Sequence, residues 1–388
     1  MKREFDLKLK DFPTIPNSLR KNATKNFAKS SVDIDIARLF HHYYIDKHGK
    51  CPPSPDLSQF EPAMFLTNEN AFRFSGSGFG NYPAAKQAGS NQLGQALFRW
   101  FLHDHCGITY FAHMHNCLNR SVHRGFGQIK INRVDDGDVP DYLCAKNTNQ
   151  ICIGEAKGRY RSIGFRTKEF DNWRNQFNRI EVVDKGGAKI SVKGYIIGSR
   201  FATEKSPRVR STIFAEDPAT PGERGLSEME SDFIRKGIVS LHYARIVEKM
   251  NMPLLAAALE SGSQISDELR PRATVWEFQL GIDNLPKRYV GGYWPKANGF
   301  LPFRIENGKP VHNPSDPFRL DSEDPTFIGI EESIFKQVAA LARSNDNAGI
   351  NVSQYPDPGP FYSAISTLRD GSIVAPSEFF IPVDVVEY

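Results

Sequence analysis

Nowhere does the chain contain an apolar run approaching the ~20 residues that a membrane-spanning helix needs. Its first residues, MKREFDLKLKDFPTIPNSLRKN, are basic and lack the apolar stretch of a secretory signal. Both absences point to a cytoplasmic protein with no membrane partner. Cysteine is scarce: the five residues at 51, 106, 117, 144 and 152 are odd in number and follow no repeating framework. That argues against a disulfide-built secreted fold and for reduced thiols. A GxxxxGK[ST] phosphate loop is missing, so the glycine-rich FRFSGSGFGNYP at 72–83 reads as loop or linker. There is no internal repeat. The net charge of +4 is too small to predict nucleic-acid binding by itself.

What is present is ordinary for a globular protein: 388 residues, 40% hydrophobic and 24% charged. That length suggests roughly two or three domains. One amphipathic helix is expected over Asp33–His48, broken by the prolines of Cys51–Asp56. A second is expected over Ser90–Leu102, where Leu93, Leu97, Trp100 and Phe101 share a face and Ser90 suits an N-cap. Strand-like text follows at Ile108–Cys117. A hairpin is expected at about 139–146 and 150–157, then a helix over Thr167–Val182 and a strand over Lys189–Gly198.

Farther on, Ser206–Gly225 is rich in proline and charge and reads as a loop or boundary. A capping box, Ser227-Glu-Met-Glu230, starts a helix that ends before Pro253. Ala273–Ile282 and Tyr289–Trp294 read as strands around an Asn284–Pro286 turn, and Glu331–Arg343 as a helix. Alternation puts Trp276, Phe278 and Leu280 in a core. The expected organisation is an N-terminal region (1–89) for substrate or partner binding, a core (90–205), a loop (206–225), and a C-terminal α+β region (226–388) for recognition or oligomerisation.

The hairpin carries the chemistry. In DVPDYLCAKNTNQICIGEAK (138–157), two apolar runs flank Asn147-Thr148-Asn149. A three-residue loop there sets Lys146 against Gln150, Leu143 against Ile153 and Asp141 against Glu155. Opposed side chains in an antiparallel pair have Cβ atoms ~5 Å apart. Lys157 shares the face of Glu155 because side chains alternate. A two-residue loop would instead shift the register by one and leave the acids diagonal. Two carboxylates held together need a countercharge. A divalent cation, which prefers oxygen ligands, supplies it. Downstream, Lys157, Arg159, Arg161, Arg166 and Lys168 form a basic stretch with no acid between Glu155 and Glu169.

Pro140-Asp141, thirteen residues, then Glu155-Ala156-Lys157 resembles the PD-(D/E)xK nuclease superfamily. Elsewhere only Asp6–Lys8 puts an acid two residues before a lysine, and nothing suitable precedes it. The resemblance covers about 90–200. It implies an α/β fold: a restriction-endonuclease-like core with a mixed central β-sheet flanked by helices, plus N- and C-terminal α+β additions. It also implies that Asp141, Glu155 and the carbonyl of Ala156 hold Mg²⁺, or Mn²⁺, and that Lys157 assists the attacking water. Arg159, Arg161, Arg166 and Lys168 would contact nucleic acid. Gln176 would match a glutamine some relatives carry on the later helix, with Ile180 where an aromatic often lies. The family's acid on the first helix is absent, where Asn91, Gln92 and Gln95 stand instead.

The expected activity is therefore metal-dependent phosphodiester hydrolysis, as a DNA endonuclease in restriction or antiviral defence, with RNA as the alternative substrate. A single such site cuts one strand at a time, so a homodimer or larger defence complex would suit it. The competing reading is an inactive nuclease-like scaffold that binds nucleic acid or protein. A third is a zinc-stabilised module. His103, His105, His113, His115 and His123 cluster near Cys106 and Cys117, and on a strand His113, His115 and Cys117 would share a face.

Overall fold

The computed structural model describes residues 1–22, 24–47, 60–80, 82–118, 129–146, 150–281, 285–293, 303–307, 309–312, 325–343, 352–356 and 365–388. The prolines of 51–56, the turn residues 147–149, His48, His123, Asn284 and Trp294 lie outside these. The protein is a mixed α/β structure with two compact units, Met1–Lys47 with Glu61–His242, and Tyr243–Tyr388 with Phe60.

The first unit is built on a seven-stranded sheet. Its elements in chain order are β1 (Lys2–Lys10), β2 (Ser31–Asp35), α1 (Ile36–Lys47), α2 (Pro83–Cys106), β3 (Tyr110–His113), β4 (Tyr142–Ala145), β5 (Ile151–Arg159), α3 (Lys168–Gln176), β6 (Lys193–Arg200) and β7 (Thr212–Glu216). The spatial order is β2-β1-β7-β6-β5-β4-β3. The sheet is mixed: β1 runs parallel to β7 and β5 parallel to β6, while the other pairs are antiparallel. β5 is central and almost wholly buried. That suits its apolar text, since strands covered on both faces lose the polar alternation.

Four other strands, Lys130–Arg133, Ile180–Val183, Lys189–Ser191 and Arg224–Gly225, form a smaller sheet. A helix over Glu228–Lys249 follows. Its capping box is formed: Ser227 N donates to Glu230 Oε2 at 2.9 Å and Glu230 N to Ser227 Oγ at 3.3 Å.

Several expected boundaries move. α2 starts at Pro83, which occupies the first turn, and Ser90 is interior. The helix expected from Asp33 begins at Ile36, because Asp35 Oδ1 caps the amides of Ala37 and Arg38 at 3.0 and 3.2 Å. α3 stops at Gln176. A short 3-10 turn follows, and Ile180 opens a strand instead of continuing the helix face. The single strand expected over 189–198 is two strands in different sheets. The loop expected at 206–225 contains β7, a central member of the main sheet, so it lies inside the first unit. Prolines on both sides conceal that five-residue strand.

In the second unit a six-stranded antiparallel sheet includes Arg272–Phe278, Arg288–Tyr293 and Phe380–Glu387. Trp276 and Phe278 are core residues, Leu280 packs against them, and the Phe327 and Phe380 rings stack at 3.8 Å. Its helix over Glu332–Arg343 buries Ile334, Phe335 and Val338.

Candidate active site

The β4–β5 register is the three-residue one: Leu143 pairs with Ile153 and Tyr142 with Gly154. Asp141, one residue before that last pair, therefore faces Glu155. Asp141 Oδ2 accepts the Ala156 amide hydrogen at 2.9 Å, which pins the carboxylate beside the strand. Lys157 Nζ lies 2.6 Å from Glu155 Oε1 and 3.5 Å from Asp141 Oδ2. The side chains of Glu155, Lys157 and Asp141 are 0%, 15% and 21% exposed, so the group opens outward from a buried glutamate.

Within this trio a single ammonium faces two carboxylates. The Lys157 ammonium is the close contact of Glu155 Oε1, and Glu155 Oε2 has no hydrogen-bond donor. Burial first, and then the negative charge of Asp141, pushes the Glu155 carboxyl well above the ordinary carboxylate range. Such a group is costly as built and becomes favourable if a cation enters.

Both sheet faces fix β5. On one side α2 rests directly on the strand, because Gly94 and Gly158 carry no side chains. A Cβ at Gly94 would lie 2.5 Å from Gly158 N. Within the sheet, Ile196 and Gly198 of β6 pair with Glu155 and Lys157. Trp173 of α3 covers Gly198, where a Cβ would meet its ring at 2.9 Å. Gln176 shares that helix face by its i, i+3 spacing from Trp173 and is 3% exposed, with no partner for Oε1. Arg174 ties α3 to β7 through the buried Glu216, at 2.8 Å from Nε and 2.7 Å from Nη2.

The basic stretch divides. Arg159 ends β5 and donates to Asn91 Oδ1 and the Gly158 carbonyl. Arg159 and Arg161 line one cleft, whereas Arg166 and Lys168 are solvent-exposed around the start of α3.

The zinc face expected on a strand does not form. The strand ends at His113, and His115 and Cys117 lie on a helical turn, Met114–Cys117. His113 Nε2 instead lies 3.2 Å from Asp46 Oδ1. Tyr142 Oη donates to Asp46 Oδ2 at 2.7 Å and Arg99 to Asp46 Oδ1 at 3.2 Å. Those contacts hold the Asp46 carboxyl well below its usual range against the opposing effect of burial. Sequence reading missed this network. Its one signal was an acid on the buried stretch of α1.

A different trio, His42, His103 and Asp104, brings potential ligand atoms within 4.8 Å. There Arg38 Nε stands 3.0 Å from Asp104 Oδ1, and its Nη2 3.4 Å from His103 Nδ1. A guanidinium already meets that carboxylate, so the trio is a poor seat for a dication. Among the described residues no helix is long and apolar enough to cross a membrane. Compared with known proteins, the chain matches no family model, no curated sequence and no solved structure.

Proposed function

We propose that the chain is a metal-dependent nuclease of the PD-(D/E)xK type, hydrolysing DNA phosphodiesters, with a restriction-endonuclease-like core over 90–205. The observation that carries this reading is the buried Glu155 carboxylate, with no hydrogen-bond donor at Oε2, beside a second carboxylate and a lysine. The succession α2, β3, the β4–β5 hairpin, α3 and β6 also supports it. That is the family's order of helix, hairpin, helix and strand. Restriction or antiviral defence is the role the resemblance implies, and Gln176, Arg166 and Lys168 remain candidate substrate contacts.

The donor set suits a hard cation: Asp141, Glu155 and the Ala156 carbonyl would hold Mg²⁺ or Mn²⁺. When bound, the ion supplies Lewis-acid stabilisation of charge on the phosphoryl oxygens. The Ala156 amide keeps Asp141 turned toward Glu155. Lys157, anchored by both acids, directs an attacking water and faces the phosphate with a fixed positive charge.

The test is cleavage of plasmid DNA with Mg²⁺, with Mn²⁺ and with EDTA, by wild type, Glu155→Ala and Lys157→Ala. Metal-dependent nicking by wild type alone is expected, with each variant reduced by at least about a hundredfold. Equal inertness of all three proteins on DNA and RNA, with binding retained, would establish the scaffold reading instead.

A further inference from the structure

Two residues beyond Lys157 the strand reaches a cleft of about 370 Å³ between the start of α2 and the end of β5. Three cations, Lys86, Arg159 and Arg161, line it against one acid, Glu169. Tyr160 contributes to the wall. The lining residue Pro83 is preceded in the chain by Tyr82, the N-cap of α2, whose ring is 63% exposed. Arg159 stands two positions after Lys157 on the same strand, which puts their backbones ~7 Å apart.

Positive charge beside one accessible aromatic ring, Tyr82, matches a flexible, anionic, ring-bearing ligand. Its volume lies near the lower end of the ~300–1,000 Å³ typical of small-molecule sites, enough for one nucleotide unit but not a base pair. Rings such as Tyr82 stack on a base only when that base offers a free face, as it does in an unpaired strand.

We propose that this cleft seats a single strand of DNA, one nucleotide held by Arg159 and Arg161 with its base on Tyr82, and leads that strand to Asp141, Glu155 and Lys157. The inference rests on the nuclease reading and specifies its substrate as unpaired DNA.

The experiment measures fluorescence anisotropy of a labelled single-stranded DNA and of its duplex with the full-length protein in EDTA, where no cleavage occurs. The single strand is expected to bind on the order of tenfold more tightly than the duplex, with Tyr82→Ala and Arg161→Ala each weakening it by about tenfold. Arg161→Ala should also flatten the slope of log affinity against log salt by about 0.7, a change that misfolding would not mimic. Equal affinity for duplex, or unchanged single-strand binding in both variants, overturns the proposal. Metal-dependent cutting by wild type, assayed separately, keeps the two readings apart. Cutting with unaltered cleft variants sinks the cleft alone, whereas strand binding lost in those variants without any cutting sinks the nuclease alone.

Discussion

Asp141 and Ala156 are joined across the hairpin: the Ala156 amide donates to Asp141 Oδ2 at 2.9 Å. The carboxylate thus has two jobs, an acceptor for the backbone and a charge for the site. Asparagine retains an acceptor and drops the charge. Asp141→Asn should therefore unfold within about 1 kcal/mol of wild type in urea, yet lose metal-dependent cleavage. Asp141→Ala, which strands the amide, should lose cleavage and a further ~1–2 kcal/mol of stability.

Glu155 and Lys157 form a buried ion pair at 2.6 Å. Removing one partner leaves the other charge uncompensated. Lys157→Met should destabilise the protein by about 3 kcal/mol, and adding Glu155→Met should recover most of that loss. Chemical denaturation of the two proteins reads the difference. Both should be inactive, which would separate the stability of the hairpin from its chemistry.

Metal should register in stability before it registers in turnover. An ion that binds only the folded chain stabilises it by about 2.7 kcal/mol at a hundred times its dissociation constant. Mn²⁺ should raise the melting temperature of wild type and leave that of Glu155→Gln unmoved. Differential scanning fluorimetry over a metal titration checks this, and a rise of equal size in the variant would place the ion elsewhere.

His105 gives the fold an acid-sensitive point. Burial holds its imidazole down to about 4, from an ordinary 6.5, with the nearby Asp104 charge opposing. Trp100 and Phe101 pack their rings on it at 5.0 and 5.2 Å. Between those two values the unfolded chain takes up a proton that the folded chain refuses. Stability should therefore be fully present above pH 6.5 and fall as pH drops toward 4, by a total on the order of 3 kcal/mol from this group. Urea midpoints for wild type and His105→Phe across that interval test it, and the variant should show the smaller fall.

The close approach of α2 to β5 yields a further prediction. A Cβ at Gly94 would sit 2.5 Å from Gly158 N and 2.7 Å from the Lys157 carbonyl carbon, both backbone atoms that cannot rotate aside. Gly94→Ala should cost about 1–3 kcal/mol and displace Lys157, with cleavage falling even well below the melting temperature.

What could be read from sequence follows from how locally each feature is encoded. The hairpin register was legible only through the turn length: three residues between Lys146 and Gln150 set Leu143 against Ile153, and burial could not choose between registers because both faces of β4 and β5 are covered. The capping box at Ser227 was equally local. Ser90 misled because a serine inside a helix looks like an N-cap. Its hydroxyl instead bonds the Gln87 carbonyl at 3.0 Å within the helix. β7 was missed because its five residues are flanked by proline-rich text and one of its two partners, β1, lies some two hundred positions away in the sequence. The burial of Gln176 depends on α3 being drawn onto the sheet by the distant Glu216, and no window of sequence contains that pair.

β1 is the first strand in the chain, yet it ends up inside the sheet, where β7 separates it from β6. During synthesis, then, β6 has no neighbour on its outer side until residues 212–216 emerge. A fragment stopping at residue 205 would keep Asp141, Glu155 and Lys157 but present a bare, hydrogen-bond-hungry edge one strand away from them. Such edges recruit other chains. The segment that carries the chemistry is therefore not a portable module, and trimming the gene to it should yield aggregates instead of a minimal enzyme.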